Sequence, residues 1–458
     1  MGVIQVRRGT TAVWAAADPV LAPGEPGYDT EREVFKVGNG SDRWSSLAAS
    51  PTTTALGETY LPYEGVFPAA LVAVDQYLPD NAPAGYDAIT GTRWDSTNFN
   101  MQGQLIEAVN PAVPAAGCIN KPTSRNVGAM IDFEFDFDGD KFGVHVQAFG
   151  YVDMQIYIEH DGKMKRLRAD PLGTSHEGYV FRDVKLTRRH HGRVRIVIPF
   201  LYFVQILHEG NAVIRRSPDR VLAITDGDSY FDMSSAYVAG SAKSFMTHGP
   251  SEALLERTGW AIGRHGQGGT GQFNNGTGAD SAAPAPGGST RFFSPDRLAG
   301  IKRHGIGNID LYIVNGTIND GELSGGRAAM KTRALANYRA LHDWDPGILI
   351  VVVGPEPINN PPANGLHDLN RQGLIDAVLD HSAEGGLIVY LDPGKPGAQW
   401  WAGTGTEAAP NVYDAQSKLV GMDGIHGNWY LYELYGHWIA LLLSQVRVPA
   451  LRKEPTNV

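Results

Sequence analysis

The period of apolar and polar positions changes along this chain, and the changes divide it. In MIDFEFDFDGDKFGVHV, Ile131, Phe133, Phe135 and Phe137 alternate with Asp132, Glu134, Asp136 and Asp138. Strict period two predicts a strand with one apolar and one acidic face, the acidic face reading as solvated. MQIYIEHDGKMKRL, YVFRDVKL and GRVRIVIPF continue the pattern, with turns at Asp-Gly and His-Gly. Together they predict an antiparallel β-sandwich of jelly-roll type over about 60–217. The Pro/Ala/Gly/Asn-rich stretch from about 60 to 125 predicts few elements of its own.

After about residue 218 the pattern changes. Short, wholly apolar runs (VLAIT, GWAIG, IDLYIVNG, GILIVVVG, GLIVYLD) alternate with helical stretches such as RAAMKTRALANYRALHDW and HDLNRQGLIDAVLDH. This predicts a parallel sheet covered by helices on both faces, a three-layer α/β sandwich, closed by a helix from near Trp429 to near Val446. Residues 1–50 hold short strand-like pieces (VIQVRRGT, REVFKVGNG, DRWSSLA), too few to bury a large core alone, and SPTTTALGE follows as a linker. The expected organisation is a β-rich module at 1–50, a linker and sandwich at 51–217, and an α/β domain at 218–458.

Composition narrows the function. With 42% hydrophobic and 19% charged residues, the 458-residue chain has a globular balance. A formal net charge of −10 argues against nucleic acid and anionic membranes as partners. The single cysteine, Cys118, excludes an intramolecular disulfide and a thiolate zinc site. The amino terminus has no apolar signal core, and GHWIALLLSQVRV is too short to span a bilayer. An EF-hand register starting at Glu134 fails at its twelfth position, which is His145 rather than a bidentate Glu. The pair His190-His191 reads as a basic turn.

The chemistry gathers at the predicted carboxyl ends of the apolar strands. RVLAITDGDSYFD brings Ser229 to the end of the first one, where open α/β sheets bind ligands, although Asp, Gly and Ser are also ordinary turn residues. The third strand runs into Asn319-Asp320. Asp423 and His426, three residues apart before the last helix, suit an orienter and a general base. The Gly-rich segment IGRHGQGGTGQFNNGTG suits backbone donation to an oxyanion, and no Gly-Lys-Ser/Thr follows it. There is no Gly-x-Ser-x-Gly elbow.

In this order the segments resemble the four blocks of the SGNH (GDSL-type) hydrolases: GDSY with Ser229, the Gly-rich loop, TIND with Asn319, and DGIH with Asp423 and His426. The resemblance spans residues 218–458. It implies a serine esterase without cofactor or metal, with Ser229 as nucleophile, His426 as base and Asp423 as orienter. The implied oxyanion donors are the Ser229 N–H, the Gly268 N–H (or that of Gly269) and the Asn319 side chain. The family's third block is usually Gly-x-Asn-Asp, whereas here Thr317 occupies the glycine position and Gly316 precedes it. Trp400 and Trp401 read either as a sugar-stacking wall or as core.

IQVRRGT, PVLAPGEPGY and FKVGNGSDRW in the first fifty residues are similar to the amino-terminal module of bacteriophage tail-fibre and minor tail proteins. That likeness implies a virion component, made in the host cytoplasm without a signal peptide and trimeric, with other tail proteins as partners. The sandwich is similar in architecture to the β-domain preceding the catalytic domain of some carbohydrate esterases. The combined expectation is a tail-borne esterase acting at the bacterial surface on an ester of the host envelope, most simply an O-acetyl group on a glycan. A lipid-wall acyl ester is the competing substrate. The alternatives are a catalytically silent receptor-binding tail protein and a free secreted carbohydrate esterase.

Overall fold

The computed structural model describes residues 7–22, 26–29, 34–37, 40–47, 49–50, 63–79, 87–89, 100–103, 130–152, 154–168, 174–199, 202–217, 220–232, 249–266, 269–274, 291–302, 306–316, 318–320, 325–355, 366–392 and 429–445. At the amino end, β1 (Arg7–Gly9), β2 (Pro26–Asp29), β3 (Val34–Val37) and β4 (Ala49–Ser50) form one sheet in that order. Helix α1 (Thr11–Ala17) lies between β1 and β2, where the strand-like pattern predicted no helix. The Thr10 hydroxyl caps it, accepting from the Val13 N–H at 3.3 Å, and Asp18 ends it in the left-handed region at φ 33°. Trp14 and Trp44 stack at 3.9 Å between ring centroids and, with Leu21 and Leu47, make a small core.

The middle of the chain forms a ten-stranded sheet. Its strands are β5 (Tyr63–Val66), β6 (Val72–Pro79), β7 (Asp87–Ile89), β8 (Asn100–Gly103), β9 (Met130–Val152), β10 (Gln155–His160), β11 (Lys163–Arg166), β12 (Thr174–Pro199), β13 (Tyr202–His208) and β14 (Val213–Arg216). All pairs are antiparallel except β5 with β11. The long strands β9 and β12 pair along both halves of the sheet, with a register shift between Lys185 and His190. On β9 the core-facing set changes parity there, from Phe133, Phe135 and Phe137 to Phe142, Val144 and Val146, yet all six share one core. Phe137 meets Phe142 edge-on at 5.2 Å, so the irregularity lets one strand line both halves of the same core.

The last part is the expected parallel sheet: β15 (Leu222–Asp226), β16 (Ala261–Arg264), β17 (Leu311–Asn315), β18 (Leu349–Val353) and β19 (Ile388–Leu391), in the order β16-β15-β17-β18-β19. Its helices are α2 (Ser229–Asp232), α3 (Pro250–Thr258), α4 (Pro295–Lys302), α5 (Gly326–Trp344), α6 (Leu366–Ala383) and α7 (Trp429–Gln445). Alternate strand residues feed two cores. Ala223, Ile262, Ile313 and Val351 pack with α3 and α7; Ile224, Tyr312, Val314 and Val352 pack with α4, α5 and α6. Period two therefore persists inside runs that read as continuously apolar. Gly436 allows α7 to cross α3 closely, since a Cβ there would stand 2.3 Å from the Pro250 carbonyl oxygen.

One expectation fails. The acidic face of β9 is not solvated at Asp132 and Glu134, which are 0% and 2% exposed. That face meets the parallel sheet. Asp132 receives a two-pronged pair from Arg195 at 2.9 and 2.7 Å, further donation from Arg220 at 3.3 Å, and the Ile262 N–H at 3.1 Å. Arg195 and Arg220 also donate to the Trp260 carbonyl. Nearby, Tyr157 and Arg166 both donate to Glu256 of α3. Alternation shows which residues share a face, but not what covers it. Only Asp136 and Asp138, further along, are partly open.

Candidate active site

The strand order reverses on either side of β15, so the crevice beyond its carboxyl end lies at the switch point of the sheet. Ser229 sits there at the start of α2 and is 7% exposed. The turn that presents it is held tightly. Asp228 accepts from the Tyr230 N–H at 3.1 Å, and Asp226 accepts from the Gly227 N–H at 2.8 Å. A Cβ on Gly227 would come within 2.9 Å of the Asn315 carbonyl oxygen, so a glycine is needed where the turn passes β17.

Asn319 follows β17 and reaches across to this turn. Its side-chain amide donates to the Thr270 carbonyl at 3.0 Å and to Asp228 at 3.4 Å. It therefore touches both the nucleophile turn and the Gly-rich loop. Its neighbour Asp320 accepts from the N–H groups of Gln272, Phe273 and Asn274 at 2.8–3.0 Å. Burial raises the Asp320 pKa above the ordinary carboxylate value, against the three N–H donors, which lower it. Gly271 leaves the room this carboxylate occupies, since a Cβ there would lie 2.3 Å from Asp320 Oδ1.

The departure at Thr317 has a structural counterpart. Gly316 is left-handed at φ +106°, and a Cβ on it would stand 2.4 Å from Asp228 Oδ2. The glycine one place early is thus the residue that makes way for the nucleophile turn. Gly316→Ala should destabilise the fold by more than backbone strain alone, which is about 1–3 kcal/mol. Gly65→Ala supplies the comparison, because Gly65 is also left-handed, at φ +75°, with nothing within 4 Å of its added Cβ. Urea denaturation of both variants checks this; equal losses would show that Asp228 simply moves aside.

Several residues joining the blocks carried no sequence signal. Arg297 on α4 donates to the Thr270 hydroxyl at 3.0 Å, the Gly227 carbonyl at 2.5 Å and the His265 carbonyl at 3.2 Å, and it pairs with Asp226. Tyr312 also donates to Asp226, and burial followed by that carboxylate's charge holds the phenol well above its usual pKa. On the other side, Tyr432 of α7 meets Tyr230 edge-on at 6.1 Å, Tyr435 lies 6.3 Å from Phe231, and the Asn315 amide donates to the Tyr435 hydroxyl. Only a pair of aromatic side chains on α7 at i, i+3 could have hinted at that contact.

The structure thus brings together Ser229, Asn319 and the loop that contains Gly269, itself left-handed at φ 74°. Gly268, Asp423, His426, Trp400 and Trp401 lie outside the described residues. Among the described residues, no group of three or more His, Cys, Asp or Glu is arranged to hold a metal ion. Among the same residues, no helix is long and apolar enough to cross a membrane.

A salicylyl-acyltransferase from a tetracycline biosynthetic pathway shares this architecture, with a TM-score of 0.54 at 11% identity over 81% of this chain and 100% of its own. A family 2 carbohydrate esterase with a carbohydrate-binding domain from Corynascus thermopiles (Myceliophthora fergusii) covers 76% and 98%, at 13% identity and TM-score 0.47. A GDSL-like lipase from Bacteroides ovatus covers 71% and 88%, at 13% identity and TM-score 0.44. At such identities the likeness concerns the fold. No curated protein sequence matches the chain. The class the structure defines is thus the fold shared with this acyltransferase, an antiparallel sheet joined to a parallel sheet covered by helices. Residues 4–42 match the family model of the major tropism determinant N-terminal domain. The protein therefore joins a segment similar to that N-terminal domain to a larger fold shared with the acyltransferase.

Proposed function

We propose that the protein is a tail-borne serine esterase that removes an ester, most simply an O-acetyl group, from a glycan of the host envelope during adsorption. The observation that carries this reading is the meeting of Ser229, Asn319 and the Gly-rich loop at the sheet's switch point, tied together through Asp228 and Thr270. The fold shared with an acyltransferase, and the match of residues 4–42 to the tropism-determinant domain, are consistent with it.

In this mechanism Ser229 Oγ attacks the ester carbonyl carbon while His426 takes its proton. Asp423 fixes the imidazole tautomer and stabilises the imidazolium. The Ser229 and Gly268 (or Gly269) N–H groups and the Asn319 amide hold the oxyanion. His426 then protonates the leaving alcohol, and a water deprotonated by His426 releases the acid. Trp400 and Trp401 would flank the sugar. The assembly is a trimer within the virion, with other tail proteins as neighbours and no cofactor.

Release of acetate from purified host glycan by the full chain, together with its detection in purified virions, tests the proposal. Binding to cells without turnover of glycan or aryl acetate would favour a silent receptor-binding protein, and absence from virions a free secreted esterase. Release of longer acids alone would move the substrate to a wall lipid. Asn319→Ala should lower kcat by about 10²–10³-fold, the usual cost of one oxyanion donor. An unchanged kcat would remove Asn319 from the oxyanion site.

A further inference from the structure

We propose that Arg297 is a positioning residue for this site: its guanidinium sets the distance between the Ser229 turn and the backbone donors of the Gly-rich loop. The inference rests on the esterase reading and adds to it a residue that none of the four family blocks contains.

The geometry is a four-way grip by one buried side chain. On the nucleophile side Arg297 holds the Asp226 carboxylate and the Gly227 carbonyl, both within three residues of Ser229. On the loop side it holds the His265 carbonyl and the Thr270 hydroxyl. Those two residues are the two ends of the segment that contains Gly268 and Gly269, so the loop is gripped before and after its candidate oxyanion glycines. Phe292, whose ring faces the guanidinium at 5.0 Å, donates its N–H to the Gly271 carbonyl at 2.8 Å, so the approach to α4 follows the same loop.

Arginine suits this place for a stated reason. Its rigid planar fork holds two donor nitrogens at a fixed separation: Nη2 lies among Asp226, the Gly227 carbonyl and the His265 carbonyl, while Nη1 donates to the Thr270 hydroxyl. A lysine ammonium is a single point, so at the Nη2 position it would keep the contacts made there and lose the Nη1 contact to Thr270. Tyr312 and the Gly227 N–H also donate to Asp226, so its carboxylate keeps partners when the guanidinium is changed. Nucleophile and oxyanion donors must be placed together for attack. A misplacement of about 1 Å can cost ~10²-fold in rate.

The test uses the full chain and the variants Arg297→Lys and Thr270→Val. Thr270→Val keeps the β-branched shape and leaves the Arg297–Asp226 pair and the His265 contact intact. Without unpairing a buried charge it thus removes one of the two holds on the loop, together with the Thr270 hydroxyl's own 3.5 Å bond to the Gly227 carbonyl. Two readouts are taken: kcat and KM on an aryl acetate, and hydrogen–deuterium exchange of peptides covering 226–232 and 265–274. Arg297→Lys should lower kcat by about 10–100-fold with KM little changed, and both peptides should exchange faster together. Thr270→Val should move the same quantities in the same direction, by less. An unchanged kcat, a loss matched by a lower folded fraction, or faster exchange in one peptide alone would overturn the proposal. If the wild-type chain neither turns over the ester nor reacts with a fluorophosphonate, the esterase reading fails by itself. The paired exchange of the two peptides still decides whether Arg297 holds them.

Discussion

Ser229→Ala should reduce turnover of an acetate ester by about 10⁴-fold or more, the scale seen when a serine nucleophile is removed from a triad that acts as a unit. The variant should keep its fold. The change deletes one hydroxyl oxygen, while the packing of the short helix rests on Tyr230 and Phe231 against Tyr432 and Tyr435. The turn itself is held by Asp228, Asp226 and Gly227. Thermal denaturation should therefore superimpose on wild type while the aryl acetate signal disappears. A fluorophosphonate should add its mass to the peptide containing Ser229 in wild type and not in the variant. Equal turnover by both proteins would assign the chemistry to another residue.

Asp132→Ala should cost about 3–5 kcal/mol of stability, because it takes the carboxylate from buried Arg195 and leaves buried Arg220 only Glu134, at 3.7 Å. Replacing all three residues by apolar ones of similar volume should restore much of the loss, since such a swap is often neutral or stabilising. Urea denaturation of the single and triple variants distinguishes this from a simple packing defect, in which the triple variant would be the worse. A pH dependence follows. Burial alone would raise the Asp132 pKa, but Arg195, Arg220 and the Ile262 N–H outweigh it and leave the carboxyl below its ordinary value of 3.8. A depressed folded pKa gives stability that is present above the unfolded value and lost as pH falls through the folded one. The acid limb of wild-type stability, below about pH 4, should therefore be steeper than that of Asp132→Asn. Parallel acid limbs would remove this carboxylate from the acid response.

The sequence showed some parts of this arrangement clearly and others not at all, for physical reasons. The five apolar runs after residue 218 were readable because a parallel sheet buried on both faces needs them, and each ends where the structure ends a strand or within a few residues of it. Ser229 and Asn319 were readable because strand ends at a switch point are where polar residues interrupt such runs. Arg297 was not. It lies on a helix 68 positions after Ser229, in a segment, SPDRLAG, whose pattern is that of any helix start. Its role comes only from the fold bringing α4 beneath two loops. Asp132 and Glu134 were misread because period two assigns a residue to a face and is silent about a second sheet laid on that face. Helix α1 was missed because its seven residues, TAVWAAA, are too few to show a helical period.

The buried ionic seam also bears on how such a chain can be shuffled between genomes. Asp132 and Arg195 lie before residue 218, and Arg220, Trp260 and Ile262 lie after it. A crossover at that point with an unrelated partner would keep the Asp132–Arg195 pair but remove the Arg220 and Ile262 donors from it, and would separate Arg166 from Glu256. The ten-stranded sheet and the parallel sheet should accordingly be inherited as one cassette. Exchange of parts is then directed to the other side of the ten-stranded sheet, near the linker-like SPTTTALGE, where a crossover would leave the seam intact.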